Sequence, residues 1–600
     1  MNLDTLPFPE LWIVDTEYRP PRYPVEGDPV QPVAWCGLEL LSGREVRLWL
    51  ADGEIPPAPP HGPEALIVAY AAAAEAGCYA ACGWSKPRYV LDLMPETDLE
   101  TNGPDRPMAG LLASLRKRGL SSMTSAKKHD MRETILRGPP YSEEEREQIL
   151  HYCLEDVRAT AQLLGAVHER IDLDQALLRG DYTWTCGLIT ARGVPIDQPT
   201  HDAIRRHWNT IRARLIEDVN PHFGNCYESG SFREARFAAW LEEQGIGWPR
   251  LPSGHLDLKE KTFRSMTEAW PQLRPLSYLR MALAQTRAFK LPVGMDGRAR
   301  AELLPMATKT GRCAPKAGYI FIQPAWLRSL IKPAPGMAVA YVDYSSEEIA
   351  IAGALAEDAA LLDAYASGDP YVAFGRMAGI IPPNGTKATH PAERARCKSC
   401  LLGTNYGMQA RSLAIRIGST EAAAEQLLAQ HRRAFPKFWE WRKRAVLRMQ
   451  LHGHLQTAFG WVQHAHAGLS DRSAANFLVQ ATGAEILKAA VLMLEEEGVR
   501  VLATVHDAVL VEAPDHDIED VAERTGAIMA EASGIVLGGI TLRTDATIVR
   551  DGDRYRDERG IDTWDQVMAI VHEAELADLA RPPGSPPATT SAQEEGENYA

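Results

Sequence analysis

The sequence predicts a soluble multidomain protein of mixed α/β and α+β class. Its 600 residues are too many for one hydrophobic core, and domains of ~150 residues would give roughly three or four units. Hydrophobic residues make up 45% of the chain and charged residues 24%, as in an ordinary globular protein. Apolar runs of strand length alternate with helical patterns over residues 11–170 and again over residues 337–560.

The pattern along the chain divides it into successive segments. Strand-like runs (LWIVDTEY, QPVAWCGLEL, REVRLWL) fill residues 11–50, and a mostly helical stretch over residues 65–170 completes a first α/β domain. Residues 171–300 are predicted to be helical and irregular, with GLITARGVPID at the junction. Strands and long helices follow over residues 337–560. The last twenty residues, RPPGSPPATTSAQEEGENYA, are predicted to form a disordered tail.

Composition argues against several classes of protein. No run of ~18 apolar residues is present, and the N-terminus lacks a secretory pattern, so we expect no membrane segment and a cytoplasmic location. Nine cysteines without scaffold spacing suit a reducing compartment. Cys397 and Cys400 form a CxxC within a predicted helix. Because no second CxxC lies at zinc-finger distance, we interpret them as packing thiols.

The negative charge is unevenly distributed. The formal net charge is −15, but residues 551–600 contribute twelve acidic and four basic side chains. Residues 290–332 carry eight Lys or Arg against two acids, and residues 387–416 carry six against one. Two basic stretches that flank an acidic motif are typical of nucleic-acid binding, although solvated faces are the simpler alternative.

Two aspartates stand at the ends of apolar strands in the second half. Asp507 lies between the apolar halves of VLATVHDAVLVEA, a predicted β-hairpin, and Asp343 ends the predicted strand in GMAVAYVD. Asp507 alone is better explained as a turn residue. Ligands are commonly bound beyond the carboxyl ends of strands, and two aspartates there can bridge a pair of divalent ions. This pair therefore suggests a phosphoryl-transfer site.

Two helical stripes accompany these aspartates. The residues of the first recur every four positions and place two cations, an apolar group and an aromatic ring on one face, which suits a triphosphate and a base: Arg394, Lys398, Leu402 and Tyr406. Arg472, Asn476 and Gln480 form the second stripe, whose polar groups can reach bases and sugars. Ordinary packing of polar residues is the alternative for the second stripe.

A separate acidic pattern occurs in the first domain. Asp15 and Glu17 are two residues apart on a predicted strand and therefore share a face. Tyr152 and Asp156 are four residues apart on a predicted helix and also share a face. Each pair alone is weak support for a metal site, and their combination is more specific.

The second half resembles the family A DNA polymerases, the group of bacterial DNA polymerase I. VDYSSEEIA, RARCKSCLLGTNYG and TVHDAVLVE are similar to motifs A, B and C of that family, and TKTGRCAPKAGYIFIQPAWLRSLIKPAPG is similar to its template-primer segment. The resemblance spans residues 185–560 and is strongest to the bacteriophage branch, which shares DGRARAELLPMATKTGR. It implies a right-hand polymerase domain over 171–562, with a thumb at 198–290, palm and fingers at 300–560, fingers at 358–450, and a helical extension with the acidic tail at 563–600.

The resemblance implies a role for each matching residue. Asp343, Asp507 and the Tyr344 carbonyl would hold two Mg²⁺. The nucleotide site would comprise Arg394 and Lys398 on the phosphates, with Lys398 also catalytic, Tyr406 behind the template base, Leu402, and Glu348 as the steric gate against a 2′-hydroxyl. The DNA-binding residues would be Arg312, Arg472, Asn476, Gln480 and His506. Two positions depart from the family: Leu402 replaces an aromatic that contacts the sugar, and Ala508 replaces the glutamate after the motif C aspartate.

The first domain resembles the 3′–5′ proofreading exonucleases of the DEDDy type, which have a ribonuclease H-like fold. The resemblance covers residues 8–170 and implies that Asp15, Glu17 and Asp156 bind two Mg²⁺ while Tyr152 orients the attacking water. In IVAYAAAAEAGCYAACGW, Glu75 takes the place of the family's remaining metal-binding aspartate, and Ala71 takes the place of an asparagine. No 5′-nuclease domain is expected ahead of Asp15.

These resemblances together imply a template-directed DNA polymerase with a proofreading exonuclease that replicates a phage genome. Mg²⁺ would be the cofactor, with two ions in each site and Mn²⁺ as a substitute. Primer-template DNA and deoxynucleoside triphosphates would be its partners. A monomer is expected, with replisome accessory proteins as further candidate partners. Two alternatives remain at this point: a 3′–5′ DNA exonuclease whose C-terminal half only binds DNA, and a non-catalytic DNA-binding scaffold.

Overall fold

A computed structural model describes residues 6–20, 27–52, 57–102, 110–120, 125–284 and 291–580. The predicted disordered tail, residues 581–600, lies outside the described residues. The chain divides into two compact units. The first comprises residues 1–195, 291–319 and 333–553, and the second comprises residues 196–290, 320–332 and 554–600. The predicted thumb range falls within the second unit.

The N-terminal part of the first unit is a mixed five-stranded sheet with helices. Its strands are β1 (Leu11–Arg19), β2 (Gln31–Glu39), β3 (Arg44–Trp49), β4 (Leu66–Ala69) and β5 (Tyr89–Asp92), in the spatial order β3-β2-β1-β4-β5. Its helices are α1 (Ala72–Cys82), α2 (Leu93–Leu99), α3 (Leu111–Lys117), α4 (Ser125–Arg137), α5 (Glu143–Val167) and α6 (Leu173–Arg192). Side chains of β1 alternate between two buried clusters, with Ile13 in one and Trp12 in the other. Burial on both faces fixes the register of this central strand.

Residues 65–170 are mostly helical, as predicted, and the structure adds two details that the sequence did not predict. Residues 65–170, predicted to be mostly helical, contain the parallel strands β4 and β5. The run LIVA of β4 is buried throughout, and a short buried strand cannot be distinguished from a helix by periodicity. The predicted junction GLITARGVPID begins inside α6, which continues to Arg192 and ends at Gly193 with a φ of 64°.

The second unit is mainly helical. After β6 (Val194–Pro195), which belongs to the first unit, the chain forms α7 (Gln198–Arg206), α8 (Trp208–Val219), β7 (Tyr227–Glu228), β8 (Ser231–Phe232), α9 (Glu234–Glu243), α10 (Glu260–Ala269) and α11 (Arg274–Ala284). The aromatic rings of Phe237, Trp248 and Phe263 pack edge to face or stacked in its core. Helix α21 (Ile561–Leu579) also belongs to this unit, and it covers the described part of the predicted helical extension.

An antiparallel four-stranded sheet forms the centre of the C-terminal half of the first unit. The chain returns through β9 (Arg298–Ala299), β10 (Leu303–Leu304) and β11 (Ala314–Pro315). It then forms β12 (Met337–Tyr344), β13 (His454–Gln456), β14 (Val462–His464), β15 (Arg500–Val505), β16 (Ala508–Pro514) and β17 (Thr544–Val549). The order β15-β16-β12-β17 places β12 between the hairpin strand β16 and β17. The hairpin predicted for VLATVHDAVLVEA is confirmed, because Val505 pairs with Ala508.

Helices surround this sheet. They are α12 (Glu347–Ala356), α13 (Ala359–Ala366), α14 (Pro370–Met377), α15 (Pro391–Asn405), α16 (Ala410–Arg416), α17 (Glu421–Ala434), α18 (Pro436–His452), α19 (Asp471–Glu496) and α20 (Ile518–Val536). Helix α19 is long and apolar enough to cross a membrane, but 83% of its most apolar window is buried, so core packing accounts for its composition. Cys397 and Cys400 are buried within α15, as packing thiols would be.

Candidate functional site

The first acidic site forms where β1 meets α5. Asp15 and Glu17 project from one face of β1, and Asp156 projects from α5 toward them. One carboxylate oxygen from each lies within 4.8 Å of the others. Helix α5 begins at a capping box between Ser142 and Glu145, which fixes its start and hence its register against the strand. The two spacings noted in the sequence therefore converge on one cluster.

This cluster is electrostatically strained in a way that a cation relieves. Burial, and then the charge of Asp156, raise the pKa of Asp15 to about 7. Burial and the charge of Asp15 also raise the pKa of Glu17. The Asp15 Oδ2 atom is buried without a hydrogen-bond partner. Carboxylate oxygens are the ligands that Mg²⁺ and Mn²⁺ prefer, so these three residues fit a divalent ion.

Tyr152 and a lysine that the sequence analysis missed complete this site. The Tyr152 side chain is buried one helical turn before Asp156, and burial and the charge of Glu17 raise its pKa. Lys128 on α4 donates a hydrogen bond from Nζ to Asp156 Oδ2 at 2.7 Å, and its Nζ lies 5.7 Å from the centre of the Tyr152 ring. No spacing relates Lys128 to the acidic motifs, because α4 reaches the cluster only through tertiary packing.

Glu75, predicted as a metal ligand, is not brought into this cluster. Its Oε2 accepts a hydrogen bond from the hydroxyl of Thr16, and the side chain is buried. Thr16 lies between Asp15 and Glu17 on β1, so its side chain points to the opposite face of the strand. Ala71 precedes α1 in a left-handed conformation with a φ of 69°, and its N–H donates to Asp92 at 2.9 Å.

The second acidic site lies at the end of β12. Asp343 is the cross-strand neighbour of Ala508 on β16 and of Asp545 on β17. Asp507 occupies the tip of the hairpin, where its carbonyl accepts a hydrogen bond from the Tyr344 N–H at 3.3 Å. The two aspartates predicted from sequence are therefore adjacent, and the strand pairing adds Asp545 as a third acidic neighbour that sequence reasoning missed.

Carboxyl groups crowd this site as well. Burial, followed by the charges of Asp507 and Asp545, raises the pKa of Asp343 to about 6. Burial raises the pKa of Asp507. Burial and the charge of Asp507 raise the pKa of Glu347 to about 8, and its Oε1 is buried without a hydrogen-bond partner. The crowding of acidic groups fits a divalent cation here too.

A cleft of about 390 Å³ opens beside Asp507. Its lining includes Arg312, Ser346, Glu347, Glu348, Tyr371, Lys398, Leu402, Tyr406, Arg416, His506 and Asp507. Three members of the predicted stripe on α15 thus face the acidic site. Arg394, the fourth, donates from Nε to Asp369 Oδ2 at 2.5 Å, and Lys398 Nζ lies 5.6 Å from the centre of the Tyr371 ring.

A hydrogen-bonded network crosses the cleft. Glu348 Oε1 accepts hydrogen bonds from the Tyr406 hydroxyl at 2.5 Å and from Gln480 Nε2. Gln480 Oε1 in turn accepts from Arg312. Tyr406 and Gln480 therefore hold the predicted steric-gate residue in place. Gln480 also links it to Arg312, a second predicted DNA-binding residue.

The remaining predicted DNA-binding residues lie on α19 and the hairpin. Asn476 Oδ1 is buried without a hydrogen-bond partner. Arg472 is exposed at the start of α19. Its Cβ and Cγ atoms lie so close to Gly407 that a larger residue there would clash with them. His506 adopts a φ of 56° at the hairpin tip and lines the cleft. His506 of the hairpin thus lies beside Asp507 in the cleft, and Gln480 of α19 contacts the cleft residue Glu348.

Comparison with known proteins is consistent with this architecture. Residues 276–551 match the model of DNA polymerase family A. The DNA polymerase I of Chloroflexus aurantiacus is 24% identical over 421 residues, which cover 64% of this chain and 44% of that protein. The DNA polymerase I of Aquifex aeolicus is 24% identical over 318 residues, which cover 50% and 54% respectively. This chain therefore spans about half the length of these relatives.

A solved structure shares the fold. It is the POL domain of Pol1 from M. smegmatis in complex with DNA primer-template and dNTP. Its TM-score is 0.69 at 17% identity, and the alignment covers 90% of this chain and 95% of that one. At this identity the likeness concerns the fold. The sequence match to DNA polymerase family A is confined to residues 276–551, which include Asp343, Lys398 and Asp507.

Proposed function

We propose that this protein is a template-directed DNA polymerase that adds deoxynucleotides to the 3′ end of a primer. The observation that carries the proposal is the meeting of Asp343 and Asp507 beside a cleft that Lys398 and Tyr406 line. Acidic groups that would hold divalent ions, next to a wall that carries a cation, suit a reaction between a primer terminus and a triphosphate. The match of residues 276–551 to the model of DNA polymerase family A supports the same activity.

The proposed roles follow from position. Asp343, Asp507 and the Tyr344 carbonyl would hold two Mg²⁺, which activate the attacking hydroxyl and stabilise the leaving oxygen when bound. Lys398 and Arg394 would bind the phosphates. Their neighbour Tyr371 lies under both cations and would keep them extended toward the cleft.

The Glu348 network would set the sugar preference. Because the Tyr406 hydroxyl and Gln480 hold its carboxylate, the side chain cannot swing aside at low energetic cost to admit a 2′-hydroxyl. Arg312, which donates to Gln480, would connect this gate to the primer. Arg472, Asn476 and His506 would contact template and primer. Primer-template DNA and deoxynucleoside triphosphates are thus the proposed partners.

We also propose a 3′–5′ exonuclease at the first acidic site. Asp15, Glu17 and Asp156 would hold Mg²⁺, and Tyr152 would orient the attacking water. The compact carboxylate cluster and the buried, partnerless Asp15 Oδ2 support this proposal. A role in phage genome replication in the host cytoplasm, as a monomer, extends the proposal on the basis of the sequence resemblance to the phage branch.

The test is extension and shortening of one labelled primer on a DNA template with Mg²⁺. The wild type is expected to extend the primer with deoxynucleotides and to shorten it without them. Asp507→Ala should abolish only extension, and Asp15→Ala should abolish only shortening. Asp520→Asn on α20 and Glu144→Gln on α5 replace exposed carboxylates and serve as matched controls.

Each activity can fail separately. Extension by Asp507→Ala would refute the polymerase site. Shortening without extension in the wild type would instead favour an exonuclease whose C-terminal half only binds DNA. Extension without Asp15-dependent shortening would restrict the function to polymerisation.

A further inference from the structure

Lys128 is placed inside the first acidic site. It lies on α4, and its ammonium group is 2.7 Å from Asp156 Oδ2. The side chains of Lys128 and Asp156 are 32% and 7% exposed, so this contact is far less hydrated than a surface ion pair. The Lys128 Nζ also lies 5.7 Å from the centre of the Tyr152 ring. Packing against Tyr152 and pairing with Asp156 fix the ammonium group in one place.

The charge of Lys128 acts on the whole cluster. Its Coulombic attraction lowers the pKa of Asp15 and of Glu17, against the opposing effect of burial. One oxygen from each of the three carboxylates lies within 4.8 Å of the others, so the ammonium group beside Asp156 is also close to Asp15 and Glu17. Glu75, the remaining acidic group predicted for this site, is bonded instead to Thr16 and brings no further oxygen to the cluster.

The balance of charge limits how many metal ions the cluster can hold. Three carboxylates with oxygens within 4.8 Å of one another oppose one ammonium group, which leaves two negative charges when the acids are ionised. One divalent ion neutralises that remainder. A second divalent ion would have to enter next to a fixed positive charge at short range, which is strongly unfavourable in a poorly hydrated site.

We propose that the Lys128 ammonium group occupies the place of one of two cations, so that the Asp15–Glu17–Asp156 cluster binds a single divalent ion. Lys128 is then a positioning residue, because it orients Asp156 and Tyr152 and balances charge without contacting the reacting atoms. The inference deepens the proposed exonuclease function and rests on it. It concerns the number of ions in the site, which can be measured without DNA.

The test counts Mn²⁺ bound to the full-length protein. Asp343→Asn and Asp507→Asn are combined to remove ions from the second acidic site, and binding is followed by calorimetry and by electron paramagnetic resonance. With Lys128 present, we expect one ion that is lost on Asp15→Asn and that gives the spectrum of an isolated Mn²⁺. Lys128→Met, which keeps the length of the stem without the charge, should bind two ions with the spectrum of a spin-coupled pair.

Lys128→Arg is the matched control, since it keeps the charge and should still bind one ion. It also covers the case in which Lys128→Met fails to fold, because a second ion in the folded Arg variant would overturn the inference. Two Asp15-dependent ions in the presence of Lys128, or one ion in folded Lys128→Met, would overturn it as well. Primer shortening by the unaltered chain reports separately on the exonuclease proposal. Loss of shortening with the expected ion count would refute only the activity, and shortening with two ions would refute only the role of Lys128.

Discussion

The two acidic sites of the first unit differ in where their lysine side chain lies. At the N-terminal site, Lys128 is paired directly with a carboxylate of the cluster. At the β12 site, Lys398 lies along the wall of the cleft over Tyr371, next to the acidic groups but apart from them. Among the described residues, only the N-terminal group brings three acidic ligand atoms within 4.8 Å of one another. In the N-terminal site Lys128 neutralises a carboxylate of the cluster, whereas in the β12 site Lys398 lines the cleft and is available to a ligand.

The difference shows that the accessibility of each acidic site to ligands determines where its lysine lies. The N-terminal cluster is packed between a strand and a helix, so a side chain can reach it only from a neighbouring helix such as α4. The β12 site faces a cleft of about 390 Å³, into which a triphosphate can bring both negative charge and metal ions. Removing each lysine should therefore have a different consequence.

The largest effect is expected from Lys398→Met. Loss of a cation that meets the developing charge of the triphosphate should lower kcat for extension by ~10²–10³-fold. Mn²⁺ binding should not change, in contrast to Lys128→Met, because Lys398 is not paired with the carboxylates. Single-turnover extension gives the rate, and Lys437→Met on α18, an exposed lysine, is the control. A changed ion count in Lys398→Met would erase the distinction between the sites.

The next effect concerns Glu348. Glu348→Ala removes the side chain that Tyr406 and Gln480 hold in the cleft, which makes room for a 2′-hydroxyl. We expect discrimination between deoxyribonucleotides and ribonucleotides to fall by ~10–10²-fold, the range that a pocket of altered shape provides. The ratio of kcat/KM for the two nucleotides measures it. Glu440→Ala on α18 should leave the ratio unchanged, and an unchanged ratio in Glu348→Ala would exclude the gate.

A stability measurement compares the two sites without DNA. Unfolded aspartates ionise near pH 3.8, whereas Asp15 and Asp343 in the folded protein ionise near pH 7 and pH 6. Between those values the unfolded chain loses its protons first, so the stability of the metal-free protein falls as pH rises from about 4 to 7. Asp15→Asn and Asp343→Asn remove this loss. At pH 7 we expect gains of ~1–3 kcal/mol for Asp15→Asn and a smaller gain for Asp343→Asn.

Thermal unfolding in a chelator at pH 4 and at pH 7 measures these gains. Both variants should match the wild type more closely at pH 4, because the folded carboxyl groups are protonated there and the unfolded ones, with a pKa of 3.8, are only partly ionised. Added Mn²⁺ should stabilise the wild type at pH 7 and reverse the order of the variants. A larger gain for Asp343→Asn than for Asp15→Asn would contradict the view that the N-terminal site is the more strained.

Much of both sites was predictable because local spacing determines it. Alternation along β1 places Asp15 and Glu17 on one face, and the four-residue spacing on α15 aligns Lys398 with Leu402 and Tyr406. The hairpin followed from two apolar runs around a two-residue tip. These features need only the geometry of one element.

The missed residues all depend on which elements become neighbours. Lys128 reaches the cluster because α4 packs on α5 and β1, and Asp545 becomes a neighbour of Asp343 through the pairing of β12 with β17. Glu75 accepts a hydrogen bond from Thr16, on the opposite face of β1, and lies outside the group of three carboxylates. Such contacts are determined by tertiary packing, and the spacing of residues along the chain does not predict them.

The smallest expected effect lies at the start of α1. Ala71 precedes this helix with a φ of 69° and makes no side-chain cap, although alanine is disfavoured in left-handed conformations. Asparagine tolerates this conformation and is a favoured residue at helix starts, so Ala71→Asn should stabilise the protein by ~0.5–1 kcal/mol. Ala73→Asn, inside the first turn, is the control and should be slightly destabilising. Because α1 packs on β1, which carries Asp15 and Glu17, any gain in primer shortening should leave extension unchanged. Destabilisation by Ala71→Asn would show that the left-handed residue is held without strain.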